Sequence, residues 1–268
     1  MLDRILAVDS HAHISLRHFD NDREEVINRA RKNGVIGIIN PAINPSDFDK
    51  ALKISQRYHG YIYVALGLAP QTASNEDLIE ILDQAKKHRS KYIAIGECGL
   101  DYYWVRSPAE IENMVRIFQG MVQLAVETKL PMIIHARTAY GKNAYREIAK
   151  ILNNYGIEKA VFHAFFGRKK DVEVITKNNW YIGIPTVYLR RRDLWSILKS
   201  IPLHNMLIET DSPYLSPEKG KRNEPSNVLL IIELLSKIFG KDPYELSIII
   251  LENTKKFFGI KIEKYSQI

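Results

Sequence analysis

The stretch Ala7-Val8-Asp9-Ser10-His11-Ala12-His13 lies near the start of the chain, and in it an apolar run leads into Asp9 and then to two histidines separated by one residue. Side chains at positions i and i+2 of a strand point to the same side, so His11 and His13 should face one side together. Two imidazoles that converge at the end of a strand can hold a divalent cation. A buried pair of hydrogen-bonded histidines would have the same sequence, so the role of this pair depends on what the other strands contribute.

Short apolar runs alternate with longer amphipathic segments along the rest of the chain. The runs that predict strands are Ile5–Asp9, Val35–Asn40, Tyr61–Gly67, Tyr92–Glu97, Met132–His135, Ala160–His163, Trp180–Ile184 and Met206–Asp211. The segments that predict helices are Arg23–Lys32, Asp47–Arg57, Glu76–His88, Pro108–Lys129, Ala144–Leu152, Lys169–Lys177, Leu194–Ser200, Ile231–Phe239 and Pro243–Leu251.

This alternation predicts parallel strands joined by right-handed helical crossovers. Eight such units in a chain of 268 residues predict a (β/α)8 TIM-type barrel, somewhat distorted. The alternative is an open, doubly wound sheet, which would lead us to look for a glycine-rich phosphate turn after the first strand, where this chain has histidines. No linker or low-complexity segment interrupts the pattern, so we expect a single domain over residues 1–268.

Composition limits the class of protein further. The chain is 46% hydrophobic and 26% charged, and it has no apolar run long enough to cross a membrane, so we expect a globular protein with no membrane partner. The N-terminus lacks the apolar region of a signal peptide, and the single cysteine, Cys98, excludes an internal disulfide; both favour the cytoplasm. A formal charge of +7 favours a polyanionic partner such as nucleic acid, although many basic proteins bind none. A monomer is compatible with the sequence, which leaves the oligomeric state open.

In a barrel of this type the chemistry lies at the carboxyl ends of the strands. Six side chains that could ligate a metal stand at those ends: His11, His13, Glu97, His135, His163 and Asp211. One histidine at a strand end is usually structural, but four histidines and two carboxylates at the same end of the barrel are hard to explain as core residues. Such a set suits two cations better than one.

The chemistry that this set permits is metal-assisted hydrolysis by two divalent ions, Mg²⁺, Zn²⁺ or Mn²⁺. A carboxylate must bridge two like-charged cations, and Glu97 is best placed for that role. Asp211 could ligate one ion and accept the proton of the nucleophile as general base. Cys98 follows Glu97 immediately, so it should point away from the site and pack in the core.

Basic and aromatic side chains follow the same strands and should surround the mouth of the barrel. Arg137, Arg168 and Arg222 are positioned to hold phosphates. Tyr102, with Tyr103 and Trp104 after it, could stack on unpaired bases. The expected partner is therefore nucleic acid, single-stranded or end-frayed DNA in particular, because a barrel mouth admits an end more easily than an intact duplex.

Several motifs together resemble the TatD family of metal-dependent deoxyribonucleases, and they run in order along essentially the whole chain. They are Asp9–His13, Gly96–Tyr102, Pro131–Arg137, Phe162–Phe165, Glu209–Leu215, Arg222–Pro225 and Asn253–Gly259. The resemblance implies one metal held by His11, His13, Glu97 and Asp211, and a second held by Glu97, His135 and His163.

The chain departs from this family after the third strand, where the usual Gly-x-His-Pro reads Gly67-Leu68-Ala69-Pro70. The missing histidine would lie near the substrate or the second metal, and Gln71 is a candidate to replace it as a hydrogen-bond donor.

Three functions are consistent with these observations. The first is a deoxyribonuclease that cleaves phosphodiester bonds in the manner of a 3′-5′ exonuclease with a metal-activated water. The second is a metal-dependent ester or amide hydrolase such as an aminoacyl-tRNA deacylase, which Ala69 keeps open because the same metals polarise carbonyl groups. The third is a non-catalytic nucleic-acid-binding barrel, which has no need of six converging ligands.

Overall fold

The structure is a computed structural model that describes residues 5–262. It contains eight parallel strands, each paired with the next along the chain. The strands are β1 (Ala7–Asp9), β2 (Val35–Pro41), β3 (Ile62–Leu66), β4 (Ala94–Asp101), β5 (Met132–Arg137), β6 (Ala160–Phe162), β7 (Tyr181–Pro185) and β8 (Met206–Glu209).

The sheet curves until its first and last strands meet. The amide of Ser10 donates to the carbonyl of Ile208 at 3.1 Å, and Ala12 forms a parallel bridge with Ser212 just beyond the ends of β1 and β8. The predicted (β/α)8 barrel is therefore confirmed, and the open doubly wound sheet is excluded.

Helices connect the strands on the outside of the barrel. They are α1 (Arg23–Asn33), α2 (Pro45–Arg57), α3 (Asn75–Lys87), α4 (Pro108–Thr128), α5 (Ala144–Asn154), α6 (Lys169–Lys177), α7 (Trp195–Leu198), α8 (Leu229–Phe239) and α9 (Pro243–Phe258). Within residues 5–262 no helix combines the length and the apolar character that a membrane span requires.

Two helices differ most from the sequence-based prediction. The segment predicted as a helix over Leu194–Ser200 is the short α7, preceded by a 3₁₀ turn, Arg192–Leu194. Helix α9 continues seven residues past the predicted end at Leu251, because polar as well as apolar groups hold its second half in place: Asn253 donates through Nδ2 to the carbonyls of Leu203 and Met206. That interaction is between segments distant in sequence, so no local pattern signals it.

The apolar side chains inside the barrel set the floor of the site. Ile133, Val161 and Leu207, from β5, β6 and β8, pack in one buried cluster that also contains Phe257 and Phe258 of α9. Successive residues of a barrel strand alternate between the interior and the helices. The residues two positions further along these strands, His135, His163 and Glu209, therefore point toward the mouth.

Candidate metal centre

The structure brings all six predicted ligands together around Glu97. One of its carboxylate oxygens, Oε2, lies 3.4 Å from Nε2 of His11 and 3.3 Å from Nε2 of His13. The other, Oε1, lies 2.7 Å from Nδ1 of His135 and 3.0 Å from Nε2 of His163. Each oxygen of this single carboxylate thus faces a different pair of histidines.

Glu97 reaches the centre because β4 is irregular. Its pairing with β5 shifts register between Ile95 and Cys98, and the strand then continues to Asp101 instead of ending at Glu97 as the sequence predicts. A bulge of this kind re-aims the side chains next to it. Cys98 consequently packs in the core between barrel and helices, which confirms its predicted orientation away from the site.

Asp211 joins His11 and His13 on the Oε2 side of Glu97, which is called here the first half of the centre. His135 and His163, on the Oε1 side, form the second half. Oδ1 of Asp211 lies 3.6 Å from Nε2 of His11 and 3.5 Å from Nε2 of His13, and those two nitrogens are 3.1 Å apart. The backbone of Asp211 has φ +55°, a strained conformation for a residue with a side chain. A hydrogen bond of 2.8 Å from its amide to the carbonyl of His11 holds it there.

These spacings suit a metal ion. Ligands about 2.0–2.1 Å from a tetrahedral cation lie roughly 3.3 Å from one another. The Nε2 atoms of His11 and His13 are 3.1 Å apart and lie 3.3–3.6 Å from carboxylate oxygens of Glu97 and Asp211. Two groups among the described residues could each hold a cation: His11, His13 and Asp211, and His11, Glu97 and His163. Imidazole nitrogens and carboxylate oxygens are donors that Zn²⁺ and Mn²⁺ both accept.

Hydrogen bonds on the far side of two histidines fix which nitrogen faces the centre. Nδ1 of His13 donates to the carbonyl of Pro41 at 3.1 Å, which turns Nε2 toward Glu97 and Asp211. Nε2 of His135 donates to Oδ2 of Asp101 at 2.9 Å, which turns Nδ1 toward Glu97. Such outer partners orient histidine ligands and raise their basicity.

Burial and mutual contacts set the charges of the centre. Burial lowers the pKa of His11 to about 3, so the imidazole is neutral. Burial also opposes ionisation of Glu97, but the neighbouring His163 and hydrogen bonds from His11 and His13 hold the pKa of this carboxyl well below its usual value. A neutral imidazole and an ionised carboxylate are the forms that bind metals. Burial likewise opposes the charged form of His135, yet hydrogen bonds to Asp101 and Glu97 raise its pKa to about 9, so a metal that binds Nδ1 at neutral pH must displace a proton there.

Three buried carboxyl groups near the centre were missed by the sequence analysis: Asp9, Asp101 and Glu209. Asp9 accepts hydrogen bonds from the amide and the hydroxyl of Thr210, and burial raises its pKa to about 7. Glu209 accepts a hydrogen bond from the amide of Ala164, and burial raises its pKa well above the usual value. Strand alternation offered a signal for Glu209, which stands between Leu207 and Asp211 at the same parity.

Two glycines make room for Glu97 and Glu209. A Cβ at Gly67 would lie 2.3 Å from the backbone nitrogen of Glu97, and one at Gly183 would lie 2.3 Å from Oε2 of Glu209. The backbone that a Cβ at Gly67 would meet cannot move aside, so glycine is required there, whereas a Cβ at Gly183 would require the carboxylate of Glu209 to shift.

Gln71 lies beside the second half of the centre. Its Nε2 donates to Oδ2 of Asp101 at 3.0 Å and lies 3.2 Å from Nε2 of His135. Nε2 of His135 carries the proton that it donates to Asp101, so it cannot accept a hydrogen bond from Gln71. The amide of Gln71 therefore donates to Asp101 instead. Ala69, at the position of the family's histidine, is buried and supplies no donor. A role for Gln71 in place of that histidine stays a prediction.

One of the predicted substrate contacts is wrong. Tyr102 is only 1% exposed, and its hydroxyl donates to Oε2 of Glu147 at 2.6 Å, so its ring cannot stack on a base. The guanidinium of Arg222 is exposed and paired with the carboxylates of Asp22 and Glu224, and its contact with a phosphate stays a prediction.

The other two predicted contacts lie at the surface. Arg137, at the end of β5, and Arg168, at the start of α6, are both exposed at the carboxyl ends of their strands. Their contact with substrate stays a prediction.

In this parallel barrel, imidazoles and carboxylates converge at the carboxyl-terminal mouth. That arrangement is the one of a metal-dependent hydrolase. The chain belongs to the TatD related DNase family, whose model matches residues 8–259.

Relatives of known sequence and structure agree with this assignment. The chain is 34% identical to the uncharacterized metal-dependent hydrolase YabD of Bacillus subtilis (strain 168), over 94% of this chain and 98% of that protein. It is 30% identical to the 3′-5′ ssDNA/RNA exonuclease TatD of Pectobacterium parmentieri, over 94% and 99% of the two chains. The crystal structure of YjjV, a TatD homolog from Escherichia coli K12, superposes with a TM-score of 0.85 at 25% identity, covering 97% of this chain and 100% of that one.

Proposed function

We propose that this protein is a divalent-metal-dependent deoxyribonuclease that removes nucleotides from the 3′ ends of single-stranded or frayed DNA. The observation that carries the proposal is the position of Glu97, whose two oxygens each face a separate pair of histidines. The Pectobacterium relative is named as a 3′-5′ ssDNA/RNA exonuclease, which supports the direction of digestion and the single-stranded substrate.

The proposed ligand sets follow the two halves of the centre. His11, His13, Asp211 and Oε2 of Glu97 would hold one cation. His135, His163 and Oε1 of Glu97 would hold the second, with Asp101 orienting His135 from behind. Two divalent cations, Mg²⁺, Mn²⁺ or Zn²⁺, would supply Lewis acidity that polarises a phosphoryl oxygen and lowers the pKa of water.

The protein's own groups would then position the substrate and move the proton. Asp211 would accept the proton of the attacking water at its carboxylate, as general base. Its strained backbone and its hydrogen bond to the carbonyl of His11 keep the carboxylate in place. Arg137 and Arg168 would hold the phosphates on either side of the scissile bond.

The ester or amide hydrolase alternative gains no support from the relatives. The Bacillus relative is named as a metal-dependent hydrolase and the Pectobacterium relative as an exonuclease, and neither name mentions an aminoacyl-tRNA.

Metal stoichiometry and product analysis test the proposal together. Protein stripped with chelator and reloaded should contain two cations per chain, whereas Asp211→Asn and His163→Ala should each retain one. A 5′-labelled single-stranded oligonucleotide should give a ladder of products shortened one nucleotide at a time. A single cation in the reloaded wild type would contradict the two-ion centre. An oligonucleotide that stays intact with Mg²⁺, with Mn²⁺ and with Zn²⁺ in separate assays would contradict the nuclease function.

A further inference from the structure

Five side chains at the ends of β4 and β5 form a patch that the centre itself does not use. They are Tyr103, Trp104, Arg106, Arg137 and Tyr140, called here the aromatic rim. Tyr103 is 38% exposed, Trp104 60% and Tyr140 64%. Large aromatic rings are normally withdrawn from water, so three exposed ones in a single patch indicate a binding surface.

The rings and cations of the aromatic rim are arranged against one another. The rings of Tyr103 and Tyr140 are nearly parallel, with an interplanar angle of 16° and centroids 6.5 Å apart. Trp104 meets Tyr103 edge to face at 5.0 Å. These contacts hold the exposed rings in fixed orientations, which lowers the entropic cost of stacking a ligand on them.

Two guanidinium groups lie over these rings. Arg137 is 4.1 Å from the ring centre of Tyr103, and Arg106 is 4.9 Å from that of Tyr140. Both arginines are exposed. The patch therefore offers flat π faces for bases directly beside positive charge for phosphates, the combination that binds single-stranded nucleic acid.

A single buried carboxylate connects the aromatic rim to the candidate metal centre. Oδ1 of Asp101 accepts the amides of Tyr103 at 3.0 Å and Trp104 at 3.2 Å, while Oδ2 accepts from His135. Arg137 lies two residues beyond His135 on β5, on the same face of the strand. The backbone that carries the aromatic rim is therefore separated from a ligand of the centre by one carboxylate.

We propose that the aromatic rim is a base-stacking subsite for the unpaired nucleotides next to the scissile bond. This inference rests on the proposed function for the identity of the strand, and it explains how the site would prefer single strands. In a duplex the bases are stacked on one another and paired, so their faces cannot cover Tyr103, Trp104 or Tyr140. Unpaired bases present those faces freely.

Binding without turnover tests the subsite. A fluorescein-labelled oligo(dT) of ten nucleotides is titrated in chelator and followed by anisotropy. The double variant Tyr103→Ala/Tyr140→Ala should bind at least tenfold more weakly than wild type, since stacking one base on an aromatic ring accounts for roughly five- to 150-fold in affinity. Tyr155→Ala is the matched control: Tyr155 is 37% exposed but caps the far end of α5, so its removal should change the affinity less than twofold.

An abasic strand of the same length separates stacking from charge. Wild type should bind the abasic strand as weakly as the double variant binds oligo(dT). The double variant should bind the abasic strand and oligo(dT) with equal affinity. Tyr103→Phe/Tyr140→Phe keeps both rings and should bind like wild type, which excludes misfolding as the cause of a loss. Equal affinity of wild type for oligo(dT) and the abasic strand, unchanged affinity in the alanine variant, or no binding at all would each overturn the proposal.

The same proteins distinguish this failure from failure of the proposed function. If wild type cleaves DNA with metal but binds oligo(dT) and the abasic strand equally well, the nuclease function is supported and the stacking subsite is contradicted. Base-dependent binding by a wild type that cleaves nothing with metal would support the subsite and contradict the nuclease.

Discussion

The carboxylate of Asp101 is shared between two parts of the site. One of its oxygens accepts the amides of Tyr103 and Trp104, and the other accepts hydrogen bonds from His135 and Gln71. It is fully buried, and burial alone would oppose its charge, yet the hydrogen bond and the charge of His135 keep the pKa of Asp101 below its usual value. An ionised Asp101 therefore both orients a proposed ligand and shapes the adjoining loop.

Replacing Asp101 by asparagine should weaken the second half of the centre. The amide keeps the shape of the side chain but removes the charge that fixes the proton of His135 on Nε2. We expect metal affinity or kcat to fall about 10- to 100-fold, the usual effect of losing an outer partner of a histidine ligand. Isothermal titration with Mn²⁺ and steady-state cleavage measure the two quantities. Wild-type values in both would show that Asp101 does not orient His135.

At the level of single residues, the sequence identifies metal ligands that stand at, or just beyond, the end of a predicted strand. His11, His13, His135 and Asp211 are of this kind. It does not identify Asp101, which lies four residues past Glu97 and comes to the centre only because β4 continues through its irregular register. Nor does it reveal that Tyr102 is buried while its neighbour Tyr103 is exposed, because both lie in the turn after β4 and their burial depends on contacts with segments distant in sequence, such as Glu147.

The contact between β3 and β4 controls where Glu97 stands. Gly67 follows the end of β3, and a Cβ there would approach the backbone of Glu97 and Gly96 to 2.3 Å. Backbone atoms in a barrel strand cannot move aside as the end of a flexible side chain can.

Gly67→Ala should therefore destabilise the protein by about 1–3 kcal/mol, the usual cost of overpacking, and should also displace Glu97. We expect a lower midpoint in urea unfolding together with a loss of metal-dependent activity. Gly37→Ala is the control, since a Cβ at Gly37 would meet its neighbours at ordinary distances of 3.5–3.7 Å. Equal stability of the two variants would mean that the backbone at Gly67 adapts more easily than its contacts indicate.

At the level of elements, all eight strands were predictable because each is a short apolar run between helical patterns. The strand ends were less predictable, since they depend on pairing with neighbours. The second half of α9 was not predictable, because Asn253 and Thr254 look like surface residues in sequence but are buried against distant segments.

The positive charge of the whole molecule, formally +7, should act on a polyanionic substrate through a few exposed groups. Arg168 is exposed at the mouth, whereas Arg222 is paired with two carboxylates. The plot of log affinity against log salt for a single strand should lose about 0.7 of its slope in Arg168→Ala, the value for one phosphate contact. Arg222→Ala should keep the slope of wild type. A smaller slope in Arg222→Ala but not in Arg168→Ala would reverse the two assignments.

Phosphodiester hydrolysis should depend on the metal centre organised by Glu97. This dependence is tested by cleavage of labelled single-stranded DNA by metal-loaded wild type and by Glu97→Ala, with and without chelator, after circular dichroism has shown that both are folded. Wild type should cleave with metal and stop in chelator, and Glu97→Ala should be slower by about 100-fold or more, the size of effect expected when a catalytic group is removed. Cleavage by Glu97→Ala at the wild-type rate would show that Glu97 does not organise the active site, and turnover of small esters and amides by a wild type that leaves DNA intact would show that the centre is not that of a nuclease.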